Sequence, residues 1–261
     1  MSDQVLGAFT LTLIAGLCTA IGGLVVFFSN IKSDKFLNFS MSFAAGVMLF
    51  VSFLEMLPDA QEQLSTSYGN YSGGFLTLGL FLTGMIMVYL LDKLLPSFFA
   101  DNNKTHVSIK NSDGLYRTGL LVAIALAIHN FPEGIATFLT SINDINMGIT
   151  IALAIALHNI PEGISVATPI YYSTGNKWKA FRYSLFSGLA EPLGALIVFM
   201  ILGDSASDEV LSCSFALIAG IMVYISLDCL LPSSWELGDR KTSLLGLLLG
   251  MLIMGISLIM I

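Results

Sequence analysis

Eight long apolar runs constrain this chain more than any other feature of its sequence. Each holds about 20 mostly hydrophobic residues, the length with which an α-helix crosses the hydrocarbon core of a bilayer. In lipid such runs must be helices, because every backbone N–H and C=O group there needs a partner within its own segment. The runs cover approximately residues 5–29, 36–57, 74–95, 118–141, 147–172, 182–203, 210–231 and 243–261.

Composition and charge agree with a membrane protein. Hydrophobic residues make up 55% of the 261 residues and charged residues only 11%, against about 25% charged in a typical soluble domain. The net charge of −7 excludes a nucleic-acid partner, which requires a basic face. We therefore predict one all-α integral membrane domain over residues 1–261, with the lipid bilayer as its surroundings.

The positions of the basic residues predict the orientation of the helices. The connections that follow odd-numbered runs carry or adjoin every base, and the alternate connections carry acids and no base. Because cytoplasmic loops are rich in Lys and Arg, we predict a multi-pass protein of the cytoplasmic (inner) membrane with both termini outside. The longest cytoplasmic loop is predicted at about 96–117. The bases are Lys32, Lys35, Lys93, Lys104, Lys110, Arg117, Lys177, Lys179, Arg182, Arg240 and Lys241.

Two pairs of repeated segments indicate internal symmetry. The motif H-N-x-P-E-G occurs at 129–134 and again at 158–163, in the fourth and fifth runs. Residues 45–52 also align without gaps to 219–226, although chance similarity between apolar helices explains this second match equally well. Both pairs would lie on antiparallel helices, and matched sequences on antiparallel helices are typical of inverted-repeat transporters with a site near the membrane midplane.

Ionisable side chains inside the predicted spans need a compensating charge. Glu133, Glu162 and Glu191 fall well within them, together with His129 and His158. Each buried carboxylate costs about 2.5–3.5 kcal/mol on insertion scales, and no Lys or Arg lies at the same depth. Either protonation or a bound cation must neutralise them.

The spacing within each motif favours a cation. His129 and Glu133 are four residues apart and Asn130 and Glu133 three apart, which places them on or beside one helix face. His158, Asn159 and Glu162 repeat the pattern. Imidazole and carboxylate together suit Zn²⁺, Fe²⁺, Mn²⁺, Co²⁺ or Cd²⁺.

Some neighbouring residues remain open to two interpretations. Glu191 is either a third carboxylate ligand or a hydrogen-bonding residue between helices, and Met48 is either a soft ligand or a packing residue. Glu55 and Asp59 either attract cations to an entrance or are simply solvated. Pro132 and Pro161 should kink their helices, and Gly134 and Gly163 should permit close approach of a neighbouring backbone.

With these motifs in place, the sequence resembles the ZIP family of divalent-metal transporters, and especially its bacterial branch. The resemblance rests on the stretches that begin at His129 and His158, on Phe43-Ala-Ala-Gly-Val-Met-Leu and on Glu191-Pro192. It implies a 3+2+3 arrangement of eight helices around a binuclear metal centre, often in a homodimer that imports metal into the cytosol. One metal would be held by His129, Glu133, His158, Glu162 and Met48, and a second by Asn130, Asn159 and Glu191, with Glu133 and Glu162 shared.

The sequence also departs from the family in two places. The loop between the third and fourth helices lacks a His-rich tract, which argues against metal sensing there. Asp228-Cys229 stands where close relatives read Asp-Glu, which weakens an exit site on the seventh helix.

Two other function classes compete with import of Zn²⁺ and related metals. An intramembrane metal-dependent hydrolase is one, but the H-E-x-x-H motif of metalloproteases is absent. A secondary transporter of a non-metal substrate that uses the carboxylates as proton relays is the other. We predict a transporter rather than an enzyme, with divalent metal as its substrate and no permanent cofactor.

Overall fold

The computed structural model describes residues 3–28, 33–99, 112–202 and 208–260, and these residues form eight long helices without a strand among them. All eight are long and apolar enough to cross a membrane, which confirms the prediction of an all-α membrane fold with eight spans. In chain order they are α1 (Asp3–Gly23, continued by Val25–Phe28), α2 (Asp34–Val51, Ser52–Met56 and Leu57–Tyr68), α3 (Asn70–Phe99), α4 (Ser112–Asn143), α5 (Ile145–Thr174), α6 (Lys177–Gly188 and Ala190–Leu202), α7 (Asp208–Tyr224, Ile225–Leu230 and Leu231–Leu237) and α8 (Arg240–Met260).

Two helices continue past the points where hydropathy predicts their ends. Hydropathy predicts that the second helix ends near residue 57 and the seventh near 231. In the structure α2 extends to Tyr68 and α7 to Leu237. Each predicted end falls beside a proline, at Pro58 or Pro232. A proline in an ordinary helix interior removes a hydrogen bond and clashes with the carbonyl four residues back.

A wide π-helical turn precedes each of these prolines, at Ser52–Met56 in α2 and Ile225–Leu230 in α7. In α2 the turn closes on a hydrogen bond from the N–H of Leu57 to the carbonyl of Ser52, and α7 has the equivalent bond at Leu231. Because the wider turn changes the register of the hydrogen bonds, the helix passes the proline without ending.

The predicted loop at about 96–117 is also partly helical. α3 continues to Phe99 and α4 begins at Ser112, whereas residues 100–111 lie outside the described residues. Hydropathy marks where a chain leaves the apolar layer, and a helix does not need to end at that point. The chain is thus helical at both ends of the predicted cytoplasmic loop, and the loop itself stays a prediction.

The helices pack in two groups of four. In one group α1, α4, α5 and α6 all contact one another, and in the other α2 and α7 contact each other and both α3 and α8. The groups meet where α2 packs against α5 and α7 against α4. The polar motifs of α4 and α5 therefore lie in the first group, beside the boundary with the second.

Close backbone contacts recur in pairs at the equivalent positions of the repeated segments. Gly46 of α2 lies against the carbonyl of Leu247 in α8, and its counterpart Gly220 of α7 lies against the carbonyl of Phe81 in α3. A Cβ atom at either glycine would clash with that carbonyl. Such pairing is what an inverted repeat requires, and the 3+2+3 arrangement itself stays a prediction.

Candidate functional site

The two H-N-x-P-E-G motifs meet where α4 packs against α5. His129, Glu133, His158 and Glu162 are all buried, with at most 3% of any of them exposed. Both helices run without interruption through their prolines, so each motif presents its histidine and glutamate from one continuous helix. Whether the prolines kink these helices stays a prediction.

The histidines and glutamates pair across the two helices. The Nε2 atom of His129 lies 3.1 Å from a carboxylate oxygen of Glu162, and Nε2 of His158 lies 3.2 Å from one of Glu133. Within α4, by contrast, His129 and Glu133 approach only to 3.9 Å. The histidine and glutamate of α4 lie one turn apart, as predicted. Each imidazole nevertheless pairs with the carboxylate of the opposite motif.

The asparagines and Glu191 form a second buried layer on the side of α1 and α6. The amide nitrogen of Asn159 donates to Glu191 at 2.5 Å and to the carbonyl of Ala15 at 2.9 Å. The amide nitrogen of Asn130 donates to the carbonyl of Ser187 at 3.3 Å. The amide oxygen of each asparagine takes part in none of these hydrogen bonds. The anchoring groups at Ala15 and Ser187 are backbone carbonyls, which is why no sequence signal identifies them.

Many polar atoms of the two layers have no hydrogen-bond partner. Within the described part of the chain, the atoms that are buried without one include two imidazole nitrogens, three carboxylate oxygens and two amide oxygens of these residues. Leaving one such group unsatisfied costs on the order of 1–3 kcal/mol. They are Nδ1 of His129 and His158, Oε2 of Glu133 and Glu191, Oε1 of Glu162, and Oδ1 of Asn130 and Asn159.

The donor types fit a transition-metal ion, but the site is not arranged as a closed metal cage. Among residues 3–28, 33–99, 112–202 and 208–260, no group of three His, Cys, Asp or Glu side chains is placed so that it could hold a metal ion as it stands. Each imidazole uses its Nε2 atom in a cross-helix bond to a carboxylate, and its Nδ1 atom has no partner among the described residues.

Met48 lies on α2 and is fully buried in the hydrophobic core. Its carbonyl accepts a hydrogen bond from the hydroxyl of Ser52 at the start of the π-helical turn. Its placement agrees with the packing interpretation, and its role as a metal ligand stays a prediction.

The motif glycines make the close approaches that the sequence predicts. A Cβ atom at Gly134 would clash with the backbone of Glu191 in α6, and one at Gly163 would clash with the carbonyl of Thr19 in α1. These contacts bring α6 and α1 directly against α4 and α5. The prediction that both glycines permit close backbone approach is confirmed.

Two cavities that share Asp59 lie toward one end of the helices, and the smaller one reaches the paired residues. A cavity of about 130 Å³ is bordered by Glu133 and His158 at its inner end and by Glu55 and Asp59 further out. A second cavity of about 320 Å³ shares Asp59 and continues to Asp144, between α4 and α5. Both lie on the side of the α4–α5 connection, so the buried layer is reached from that side.

Comparison with known proteins identifies the class of protein that carries this site. The sequence matches the family described as ZIP Zinc transporter over residues 5–117 and 112–258. The chain belongs to the ZIP zinc transporter family, and with its eight spans it is a multi-pass membrane protein.

Relatives from several bacteria match along nearly their whole length. A protein of Lysinibacillus sphaericus is 46% identical over 269 aligned residues, with 100% of both chains covered. One of Streptococcus mutans is 46% identical, with 100% of this chain and 99% of the relative covered, and one of Campylobacter jejuni is 44% identical, with 98% and 97% covered. All three are named Zinc transporter ZupT.

Family membership decides between the function classes left open by the sequence. The prediction of a transporter rather than an enzyme is confirmed, and the hydrolase alternative has no support. In a zinc transporter family the metal is the transported substrate and not a permanent cofactor.

Proposed function

We propose that the protein imports Zn²⁺, and with it other divalent transition metals such as Fe²⁺, Mn²⁺, Co²⁺ and Cd²⁺, across the cytoplasmic membrane into the cytosol. The observation that carries this proposal is the buried set of unpartnered nitrogen and oxygen atoms on α4, α5 and α6. Mixed nitrogen and oxygen ligands accept all of these metals. The name of the relatives, Zinc transporter ZupT, supports zinc as one of the transported metals.

The proposed centre is binuclear. His129 and His158 with Glu133, Glu162 and Met48 would bind one metal ion. Asn130, Asn159 and Glu191 would bind a second, and Glu133 and Glu162 would bridge the two. Two facts support the bridging role. Each of the two glutamates has one oxygen bonded to a histidine of the other motif and one oxygen without a partner.

The route to this centre would run through the two cavities beside the α4–α5 connection. Asp59 borders both cavities, and Glu55 has a buried carboxylate oxygen without a partner within the described residues. Acidic groups at the mouth of a narrow cavity raise the local concentration of cations. Positive-inside orientation would place this mouth outside the cell, together with both termini.

The surroundings of the centre complete the proposal. The whole of residues 1–261 would form one transporter domain in the lipid bilayer, arranged as a 3+2+3 inverted repeat and assembled as a homodimer. Paired glycine contacts at Gly46 and Gly220 support the repeat. The packing of α1, α4, α5 and α6 as one group supports movement of the metal-carrying helices as a unit.

Transport by purified protein in proteoliposomes tests the proposal. We expect radioactive Zn²⁺ to enter vesicles that contain the protein and unlabelled Fe²⁺, Mn²⁺, Co²⁺ or Cd²⁺ to compete for uptake. Empty vesicles and vesicles with the Glu133→Ala variant serve as controls. Metal binding without flux would reject a transporter, and flux that no divalent metal inhibits would favour the non-metal substrate.

A further inference from the structure

A large surface hollow lies at the start of α6, away from the buried histidines, and we call it the basic hollow. Its volume is about 860 Å³. Its lining combines two cationic side chains with aromatic rings and one amide. The lining residues are Asn176, Trp178, Lys179, Arg182, Tyr183 and Phe186. The proposed metal route uses none of them.

Among the residues that the structure describes, none supplies an anionic partner to the cations of the basic hollow. Within the described residues, no carboxylate forms an ion pair with Lys179 or Arg182. The ammonium of Lys179 lies 4.3 Å from the centre of the Tyr116 ring, and the hydroxyls of Tyr116 and Tyr183 lie 2.8 Å apart. The hollow therefore offers two positive charges and the phenolic hydroxyl of Tyr183, which together suit a phosphate group.

An apolar groove begins where the basic hollow ends. It has a volume of about 640 Å³, lies between α4 and α6, and shares Phe186 with the hollow. The ring of Phe186 is 67% exposed and Leu193 is 50% exposed, so this groove is open at the protein surface. The lining residues are Ile124, Ala127, Ile128, Phe131, Phe186, Leu189, Ala190 and Leu193.

The aromatic residues around the hollow indicate its level in the membrane. Trp178 is 61% exposed, and its ring packs edge-on against Phe27 at the end of α1, with 5.2 Å between the ring centres. Tryptophan is enriched at the headgroup level of bilayers. The hollow thus lies at headgroup depth, and the groove extends from it toward the hydrocarbon layer.

We propose that the basic hollow and the apolar groove together bind one anionic phospholipid. Its phosphate would lie beside Lys179 and Arg182, and an acyl chain would lie along α4 and α6. Basic pockets between membrane helices on the cytoplasmic side are suited to anionic headgroups. A zwitterionic lipid would bring its own cation next to these bases, so charge complementarity selects a lipid with net negative charge.

The site touches the helices that carry the metal ligands. Phe186 precedes Ser187, whose carbonyl accepts the hydrogen bond from Asn130, and Phe131 of the groove follows Asn130. A lipid in the groove would therefore cover the contact between α4 and α6. This inference does not depend on which metal is transported.

Fluorescence of Trp178 tests the proposal directly. The chain has two tryptophans, so the Trp235→Phe variant leaves Trp178 as the only reporter. We would reconstitute it in phosphatidylcholine bilayers that contain brominated phosphatidylglycerol or brominated phosphatidylcholine at the same mole fraction. We expect brominated phosphatidylglycerol to compete for the site with about fivefold or greater preference, since each base near an anionic surface contributes about that factor.

Matched charge variants separate a specific site from general surface charge. In the same background, Lys179→Gln with Arg182→Gln should reduce the preference for phosphatidylglycerol to about onefold. Arg240→Gln with Lys241→Gln removes two exposed bases at the start of α8 and should leave the preference unchanged. An Ala127→Phe variant fills the groove and should reduce quenching by both lipids. The charge variants alone decide the result if Ala127→Phe does not fold.

Three results would overturn the proposal. Equal quenching by the two lipids in the parent protein means that the hollow does not select an anionic lipid. An equal loss of preference in the two double variants means that surface charge alone is responsible. Quenching by neither lipid means that a second copy of the chain or another part of it covers Trp178.

Discussion

His129 on α4 lies 3.1 Å from Glu162 on α5, closer than the 3.9 Å that separates it from Glu133 one turn along its own helix. The reciprocal pair joins His158 to Glu133 at 3.2 Å. The two motifs therefore interlock, and neither presents a complete ligand set alone. Any metal that binds to both motifs also holds α4 and α5 together.

Replacing either glutamate should stop transport. We expect Glu133→Ala and Glu162→Ala each to reduce Zn²⁺ uptake to the level of empty vesicles, because each removes both a proposed bridge and the partner of a histidine. Uptake of radioactive Zn²⁺ at equal protein density is the measurement. Glu236→Ala is the control, since Glu236 is exposed near the end of α7. Uptake near the parent rate in both glutamate variants would reject the bridging role.

The cross-helix pairing makes a specific prediction about stability. Removing one member of a buried charged pair costs about 3–5 kcal/mol, because the other member is left without a partner. The double variant His129→Ala with Glu162→Ala should therefore be about as stable as either single variant. His129→Ala with Glu133→Ala breaks two pairs, and its losses should add. Thermal unfolding without metal measures both, and additive losses in both combinations would contradict the pairing.

Glu191 should tolerate an amide better than a truncation. In Glu191→Gln a side-chain oxygen can still accept the hydrogen bond from Asn159 and coordinate a metal ion, whereas Glu191→Ala removes both functions. We expect uptake to be reduced in the first variant and nearly lost in the second. If the glutamine variant is as inactive as the alanine variant, the negative charge of Glu191 is essential.

The motif glycine of α4 should not accept a methyl group. In Gly134→Ala the new Cβ atom meets the backbone of Glu191 in α6, which has little freedom to move. Such overpacking costs about 1–3 kcal/mol. Gly79→Ala in α3 is the matched control, because nothing lies within 4 Å of a Cβ atom there. Thermal unfolding in detergent should show a lower midpoint only for Gly134→Ala, and equal midpoints would refute the close contact.

Asp59 should act on the capture of metal more than on its passage. Asp59 is exposed at the mouth of both cavities. We expect Asp59→Asn to raise the KM of Zn²⁺ uptake severalfold with little change in the maximal rate. The difference should shrink with added salt, because ions screen exposed charges. Glu236→Gln should leave the KM unchanged, and a salt-independent effect at Asp59 would indicate direct coordination instead.

The sequence could indicate the residues of the candidate site because their signals are local. A histidine and a glutamate four residues apart share a helix face whatever surrounds the helix, and glycines at 134 and 163 indicate close contact. The ends of α2 and α7 were wrong for the same reason. Hydropathy predicts that the spans end beside the prolines at 58 and 232. The helices continue because of π-helical turns, and these turns depend on backbone hydrogen bonds.

By itself the sequence determined that this chain forms eight membrane helices and carries carboxylates and imidazoles within them with no Lys or Arg at the same depth, because length, hydropathy and spacing act within single helices. Only the tertiary structure decided that His129 pairs with Glu162, that Asn159 reaches Glu191, and that one cavity borders Glu133 and His158. These relationships depend on how helices pack against one another. The glycines indicate that some backbone comes close, but the carbonyl that each one meets on another helix has no signature along the chain.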